Sequence, residues 1–177
     1  MGKATQDLRN EHDAILQVLS IVDRMMAADT KEDIEIINFG NELIYFLKIF
    51  ADKCHHGKEE NLLFQELIDM GVEKESELID ALRQEHQQGR EYLFLMNQSL
   101  ESKDLENFKA NLKKYRDLLS DHIAKENDVL LNTADRLLDD SKQDDLFEKF
   151  ENHEETVVGH GIHEKLHSMI HKWEEDF

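Results

Sequence analysis

Two segments of the chain each place a histidine and a glutamate four residues apart. His56 precedes Glu60 by this spacing, and His122 precedes Glu126. In an α-helix, residues four apart lie on one face, so each pair directs an imidazole and a carboxylate the same way. Imidazole nitrogens and carboxylate oxygens both bind first-row metal ions. The spacing therefore predicts a helical metal site with room for two ions.

Both pairs fall on apolar stripes instead of solvated faces. The stripes follow a three-four spacing and consist of Phe46, Ile49, Lys53, His56, Glu60, Leu63 and Leu67, and of Leu112, Tyr115, Leu119, His122, Glu126 and Val129. An ionised carboxylate buried without a partner is costly or shifts its pKa until it is neutral. Coordination to a cation removes that cost, so the burial pattern supports the metal interpretation.

His12 and His86 occupy the apolar stripes of two further predicted helices. A single histidine at such a position is more often a hydrogen-bonded core residue than a ligand. Four helices that each supply a core histidine, two with a carboxylate one turn later, are hard to explain by packing alone. The predicted dinuclear set is His12, His56, Glu60, His86, His122 and Glu126, and its mixture of donors favours iron or manganese over zinc.

Several neighbouring residues leave alternatives open. His55 is an alternative ligand to its neighbour His56, and Glu59 is expected to be solvated or to support the ligands from behind. The C-terminal part is rich in histidine. Within it, His163 is the candidate for an additional ligand, because Gly159 and Gly161 would let the chain fold back towards the bundle; a surface stripe or a supporting contact is the alternative.

The composition predicts an all-α fold. Proline is absent and glycine occurs seven times, so the residues that most disfavour helix interiors are scarce. Short predicted connections favour an up-down-up-down four-helix bundle. The first predicted helix runs from about Thr5 to Ala28, and the second from a cap at Thr30 to about Met70. The third runs from a cap at Ser76 to about Leu100, and the fourth from about Asp104 to Leu131.

The chain is predicted to form one domain in two parts. Residues 1–135 form the bundle, and residues 136–177 form a C-terminal helical extension that packs on it. The extension is expected to begin with a polar connection, followed by a short helix around Leu146 to Phe150 and a final helix near 162–175.

Charge and cysteine content limit the possible partners. The formal net charge is −19, which disfavours binding to nucleic acid and to anionic membranes. No apolar run is long enough to cross a bilayer. The first residues lack the apolar core of a signal peptide, and Cys54 is the single cysteine, so no internal disulfide can form. We therefore expect a cytoplasmic protein.

Four segments resemble the hemerythrin-like HHE cation-binding domain. They surround the candidate ligands at 10–13, 54–64, 85–90 and 121–127, within a resemblance that covers about residues 6–135. The segment 159–167 also resembles the C-terminal extension of bacterial and archaeal members. The resemblance implies a four-helix bundle with a non-haem di-iron centre, oxo- or hydroxo-bridged, in preference to manganese or zinc. Its implied bridging carboxylates are Glu60 and Glu126, and its implied terminal ligands are His12, His56, His86 and His122.

One position departs from the oxygen-carrying hemerythrins. They have a second histidine four residues after the position of His86, where this chain has Arg90. The fifth imidazole is therefore missing from its usual place, and His163, water or an exogenous ligand is the candidate to replace it. Reversible oxygen carriage does not follow from the resemblance.

Three functions remain open at this point. The first is a di-iron protein that binds or senses dioxygen, or that reports iron availability. The second is a di-iron enzyme that acts on peroxide or nitric oxide. The third is iron storage or a structural metal. The expected partner is a small diatomic ligand, and any signal must pass through an unidentified protein partner or through the chemistry itself.

Overall fold

The computed structural model describes residues 2–28, 31–73 and 76–177. Within these ranges the chain is helical and contains no strand, so the predicted all-α class is confirmed. Four helices form the bundle. Helix α1 is Lys3–Ala27 and α3 is Glu77–Glu101. Helix α2 covers 33–69, with α-helical Asp33–Phe46 and Phe64–Asp69 and π-helical Leu47–His56 and Glu59–Leu63. Helix α4 covers 105–137, with Leu105–Lys125, π-helical Glu126–Leu130 and Leu131–Leu137.

Polar caps fix where the bundle helices begin. The Ser76 hydroxyl accepts a hydrogen bond from the backbone N–H of Ile79, at the start of α3. Asp104 caps α4, and Gly71 ends the turn after α2 with a φ of 97°. The predicted cap at Thr30 lies outside the described residues. Helix α2 begins after Glu32, whose side chain forms a reciprocal capping box with Glu35.

The core is divided into two apolar clusters with a polar layer between them. One cluster includes Ile15, Phe50 and Leu119, and the other includes Leu8, Phe64 and Leu130. Each bundle helix runs from one cluster to the other through the polar layer. The layer is therefore enclosed at both ends by packed hydrocarbon, which lowers the effective dielectric around any charge inside it.

The buried face of α2 repeats every four residues. Its members are Leu43, Leu47, Ala51, His55, Glu59, Leu63 and Leu67, all of them buried. A strict four-residue repeat drifts by about 40° per step in an α-helix. The π-helical turns absorb this drift, because their i→i+5 hydrogen bonds enclose one more residue per turn. The predicted three-four stripe of α2 is accordingly wrong at Lys53, which is exposed.

The C-terminal extension consists of two helices. Helix α5 covers 140–158, with α-helical Asp140–His153 and π-helical Glu154–Val158, and α6 is Ile162–Asp176. Helix α5 begins earlier than expected, because Asp139 caps it within the predicted polar connection. Phe150 joins the second apolar cluster and Trp173 the first, so both helices complete the core of the bundle.

The extension is also fastened by polar contacts. The indole N–H of Trp173 donates to Glu42 on α2, at 2.9 Å. The ring of His153 donates from Nε2 to the carbonyl of Lys53, also at 2.9 Å. In the described ranges, no helix combines the length and the apolar character needed to cross a membrane.

Candidate metal centre

Two groups of side chains meet in the polar layer. In each group, one nitrogen or oxygen of every member lies within 4.8 Å of those of the others. Group A contains His56, Glu59, His86 and His122, and group B contains His12, His55, Glu59 and Glu126. All four bundle helices contribute, and Glu59 belongs to both groups.

Glu126 extends one carboxylate oxygen towards each group. Its Oε1 lies 3.0 Å from Nε2 of His122 in group A, and its Oε2 lies 3.1 Å from Nε2 of His12 in group B. Two donors bound at right angles to one ion, by bonds of about 2.1 Å, lie about 3.0 Å apart. These separations therefore match neighbouring ligands of one ion in each group.

Glu59 has the same relationship to both groups. Its Oε2 lies 3.4 Å from Nε2 of His86, and its Oε1 lies 3.5 Å from Nε2 of His55. The side chain is 0% exposed, so the expectation of a solvated Glu59 is wrong. Each of the two carboxylates therefore directs one oxygen towards each group.

Several buried atoms in this layer have no hydrogen-bond partner within the described residues. They include both oxygens of Glu59, Oε1 of Glu126, Nε2 of His55 and both ring nitrogens of His56. Buried polar atoms are nearly always satisfied in folded proteins, because desolvation without a partner costs free energy. Converging lone pairs of this kind are satisfied by a cation, so the residues fit a metal site.

Hydrogen bonds at the outer nitrogens orient four of the imidazoles. A donated Nδ1–H fixes the tautomer and leaves the Nε2 lone pair free to face a metal. The four pairs, with Nδ1 to oxygen distances of 2.7–2.8 Å, are His12 with Asn127, His55 with Glu11, His86 with Glu60, and His122 with Glu85.

The charges of the layer shift the pKa values of its groups. Burial acts to lower the pKa of His86, but the carboxylates of Glu126, Glu59 and Glu60 raise it to about 11. Burial also acts to lower the pKa of His122, but the carboxylate of Glu126 is the main group that raises it, to about 9. Without a metal ion, protons on imidazoles balance the buried carboxylates. A metal ion takes over that role and displaces those protons.

Five of the seven sequence-predicted residues lie in the two groups, whereas Glu60 and His163 do not. His12, His56, His86, His122 and Glu126 come together as the helical stripes predict. Glu60 lies outside both groups. It accepts hydrogen bonds from Nδ1 of His86 and from the guanidinium of Arg90, and its side chain is 26% exposed.

The structure brings five imidazoles into the layer instead of four. His55 and His56 both face inwards, one to each group. The π-helical segment that ends at His56 widens this turn of α2, so that neighbouring residues share the inner face. In the sequence, the feature that indicated a fifth imidazole was the pair of adjacent histidines, His55 and His56. Arg90 does not enter the groups; its Nε donates to Asp52 at 2.8 Å.

His163 lies in neither group A nor group B. It belongs to a third set, with Glu11 and Glu154, at the junction of the extension and the bundle. Its ring stacks on Phe50, with the ring centroids 5.5 Å apart. Glu11 connects this set to group B, because its Oε2 accepts the Nδ1 hydrogen of His55.

A small cavity adjoins group A. It is lined by His56, His86 and His122 and by Gly89, Arg90, Leu93, Tyr115 and Leu119, among others. Its volume is about 10 Å³, which is close to the space that one water molecule needs. The remaining lining combines the apolar Leu118 with the charged Asp52 and Glu85. The cavity admits a very small ligand and excludes larger molecules.

The donor set indicates a class of metal. It consists of imidazole nitrogens and carboxylate oxygens, which suit iron, manganese and zinc more than soft ions. Cys54, the one cysteine, is not a member, since its thiol contacts Glu11 and burial raises its pKa. Two carboxylates between two sets of imidazoles suit a pair of ions a few ångströms apart.

Comparison with known proteins gives one match. A family model described as hemerythrin HHE cation binding domain matches residues 3–134. The matched range is more than half of the chain and contains every residue of groups A and B, whereas α5 and α6 lie beyond it. No curated protein and no solved structure matches the chain.

Proposed function

The chain belongs to the hemerythrin HHE cation-binding domain family, and on that premise we propose that groups A and B hold two iron ions and bind dioxygen. Glu59 and Glu126 are the proposed bridging carboxylates. The proposed terminal ligands are His56, His86 and His122 in group A, and His12 and His55 in group B. Bound iron would supply an electron-rich, redox-active position for a diatomic ligand.

The cavity beside group A carries the proposal for a diatomic ligand. Three imidazoles and one oxygen from each carboxylate provide five donors, which leave one position of an octahedron. The cavity touches these three imidazoles and has room for about one water-sized molecule. The leucines in its lining, Leu93, Leu118 and Leu119, favour a neutral, weakly polar ligand such as dioxygen.

The chain's own residues hold this position in place. Glu85 and Glu60 accept the Nδ1 hydrogens of His122 and His86, so neither ring can rotate without loss of a hydrogen bond. Arg90 bridges Glu60 and Asp52 at the edge of the cavity. The same rigid frame suits a sensor, because small changes at the ligand position would reach the surface carboxylates.

A second candidate is turnover of peroxide or nitric oxide at the same position. Tyr115 lines the cavity and is 2% exposed. Burial and the nearby charge of Asp52 raise the pKa of its phenol, so the group stays protonated and can donate a hydrogen bond to a bound oxidant. A hydrogen bond of this kind would stabilise the negative charge that develops when a bond in the oxidant is cleaved.

Anaerobic purification followed by exposure to air tests the proposal. We expect two irons per chain, and an absorption change on admission of dioxygen that reverses when the gas is removed. An irreversible change, together with steady consumption of added peroxide that Tyr115→Phe slows, would favour the enzyme. Iron storage or a structural metal predicts no spectral response to dioxygen or nitric oxide, and that result would contradict the proposal.

A further inference from the structure

A second polar cluster lies where the extension meets the bundle. Lys58 is 0% exposed, and its ammonium donates to three carboxylates: those of Asp7 at 2.8 Å, Glu11 at 2.8 Å and Glu154 at 2.5 Å. We call these four residues the Lys58 cluster. Its three carboxylates outnumber its one ammonium group, so the cluster has a surplus of negative charge in a largely buried place.

His163 adds an unpartnered nitrogen to this cluster. Its Nε2 is buried and has no hydrogen-bond partner within the described residues. A ligand atom of His163 lies within 4.8 Å of those of Glu11 and Glu154. The imidazole is held by stacking on Phe50. A buried lone pair beside surplus carboxylates has the features of a cation site.

The turn before α6 places this imidazole. Gly159 and Gly161 have φ values of 100° and 75°, in a region where other residues are strained. Helix α6 then starts at Ile162, so His163 is in its first turn and faces α2. The two glycines were expected to turn His163 towards the bundle, and the imidazole contacts the bundle at Phe50.

An acidic cleft, open to solvent, is lined by Glu154 and His163. The cleft has a volume of about 270 Å³ and is lined by Glu151, Glu154, Glu155, His160, His163 and Glu164, among others. Four carboxylates and two imidazoles therefore surround its opening. Such a surface attracts cations, and the open volume leaves space for water molecules as further ligands.

We propose that Glu11, Glu154 and His163 bind a third divalent cation, separate from groups A and B. Two carboxylates and one imidazole suit manganese, iron(II) or zinc, with water completing the coordination. Lys58 does not block this role. On Glu11 and Glu154 its ammonium contacts Oε1 and not Oε2. His55 takes one position on Oε2 of Glu11, and because a carboxylate offers about four lone-pair positions, capacity remains for a cation.

The bound cation would join three helices. Glu11 belongs to α1, Glu154 to the π-helical end of α5 and His163 to α6. A cation that binds only when these helices are in place stabilises the folded chain by mass action. The extension should therefore be fastened more firmly when the cation is present.

The test uses iron-loaded protein under anaerobic conditions, with Mn²⁺ as the probe and electron paramagnetic resonance to count free Mn²⁺. We expect one bound Mn²⁺ per chain, a higher thermal midpoint with Mn²⁺, and at least about 10-fold weaker binding in His163→Ala. His171→Ala is the matched control, because His171 lies on the same helix with its side chain 78% exposed.

Iron content after the titration separates this site from the buried centre. It should be the same in wild type, His163→Ala and His171→Ala. If His163→Ala loses helix content, His163→Gln replaces it as the test variant. The proposal would be overturned if wild-type protein bound no more Mn²⁺ than the His163 variant. It would also be overturned if His171→Ala weakened Mn²⁺ binding as much as His163→Ala.

Discussion

Glu60 accepts the Nδ1 hydrogen of His86 at 2.7 Å. This carboxylate therefore orients an imidazole of group A through its outer nitrogen. Its neighbour in the chain, Glu59, directs both oxygens into the polar layer instead. Adjacent glutamates on one helix therefore have different positions relative to the centre. The outer hydrogen bonds and the inner carboxylates can be tested separately.

Loss of an outer hydrogen bond should weaken metal binding without abolishing it. Glu85 accepts a hydrogen bond from Nδ1 of His122. Removal of such a partner typically lowers metal affinity by about 10- to 100-fold. We expect a loss of this size in Glu85→Ala, measured by competition with a chelator. Glu91→Ala, at an exposed glutamate on the same helix, should leave the affinity unchanged; an equal loss in both variants would contradict the assigned role.

Gly89 lines the small cavity beside group A, and it should tolerate an added methyl group. A Cβ at this position would lie 3.5 Å from Cε2 of Tyr115, which is ordinary contact. Gly89→Ala should therefore fold, and should gain up to about 1 kcal/mol in the free energy of unfolding, since it replaces glycine within a helix. Urea denaturation measures this gain.

The same position gives a test of the ligand route. In the same Gly89→Ala variant, the added methyl group should narrow the cavity of about 10 Å³ and slow the binding of dioxygen or nitric oxide in stopped-flow experiments, with iron content unchanged. Ligand binding at the wild-type rate in this variant would exclude the cavity beside group A as the ligand position.

Lys58 should be essential for stability. Lys58→Met removes the one ammonium group shared by Asp7, Glu11 and Glu154, and an uncompensated buried charge costs about 3–5 kcal/mol. Urea denaturation should show a loss of this order. Lys53→Met, at an exposed lysine on the same helix, should change the free energy of unfolding by less than about 0.5 kcal/mol; similar losses in both would contradict the account of the cluster.

Metal loading should release protons. With pKa values raised to about 11 for His86 and about 9 for His122, both imidazoles carry a proton at neutral pH when no metal is bound. Metal ligation requires neutral imidazole, so metal affinity should rise with pH up to about 11, less steeply above about 9, and should fall on acidification. A pH-indicator dye in weak buffer should report proton release during anaerobic loading, and loading without release would contradict these charge states.

The sequence predicted those parts of the centre that regular α-helices supply. His12 and His86 lie on helices with α-helical spacing, and Ser76 and Asp104 cap their helices as polar residues at such positions do. The histidines that α1 and α3 contribute to the polar layer could therefore be located from hydrophobic periodicity.

Helix α2 could not be predicted in the same way. Its π-helical turns change which residues face the core, and nothing in an α-helical pattern indicates where an i→i+5 turn begins. As a result, the predicted face passed through Lys53 and Glu60, whereas the buried face passes through His55 and Glu59. The junction of His163 with Glu154 was equally inaccessible, since it depends on how the extension docks on the bundle.

The most direct measurement compares the iron content of Glu59→Gln and Glu60→Gln after anaerobic reconstitution. The two residues are adjacent and carry the same charge, so the substitutions are matched in chemistry and differ only in position. We expect Glu59→Gln to lose the two-iron centre, whereas Glu60→Gln should retain about two irons per chain with weaker affinity. Two irons retained in Glu59→Gln, with loss in Glu60→Gln, would contradict the proposed bridging role of Glu59.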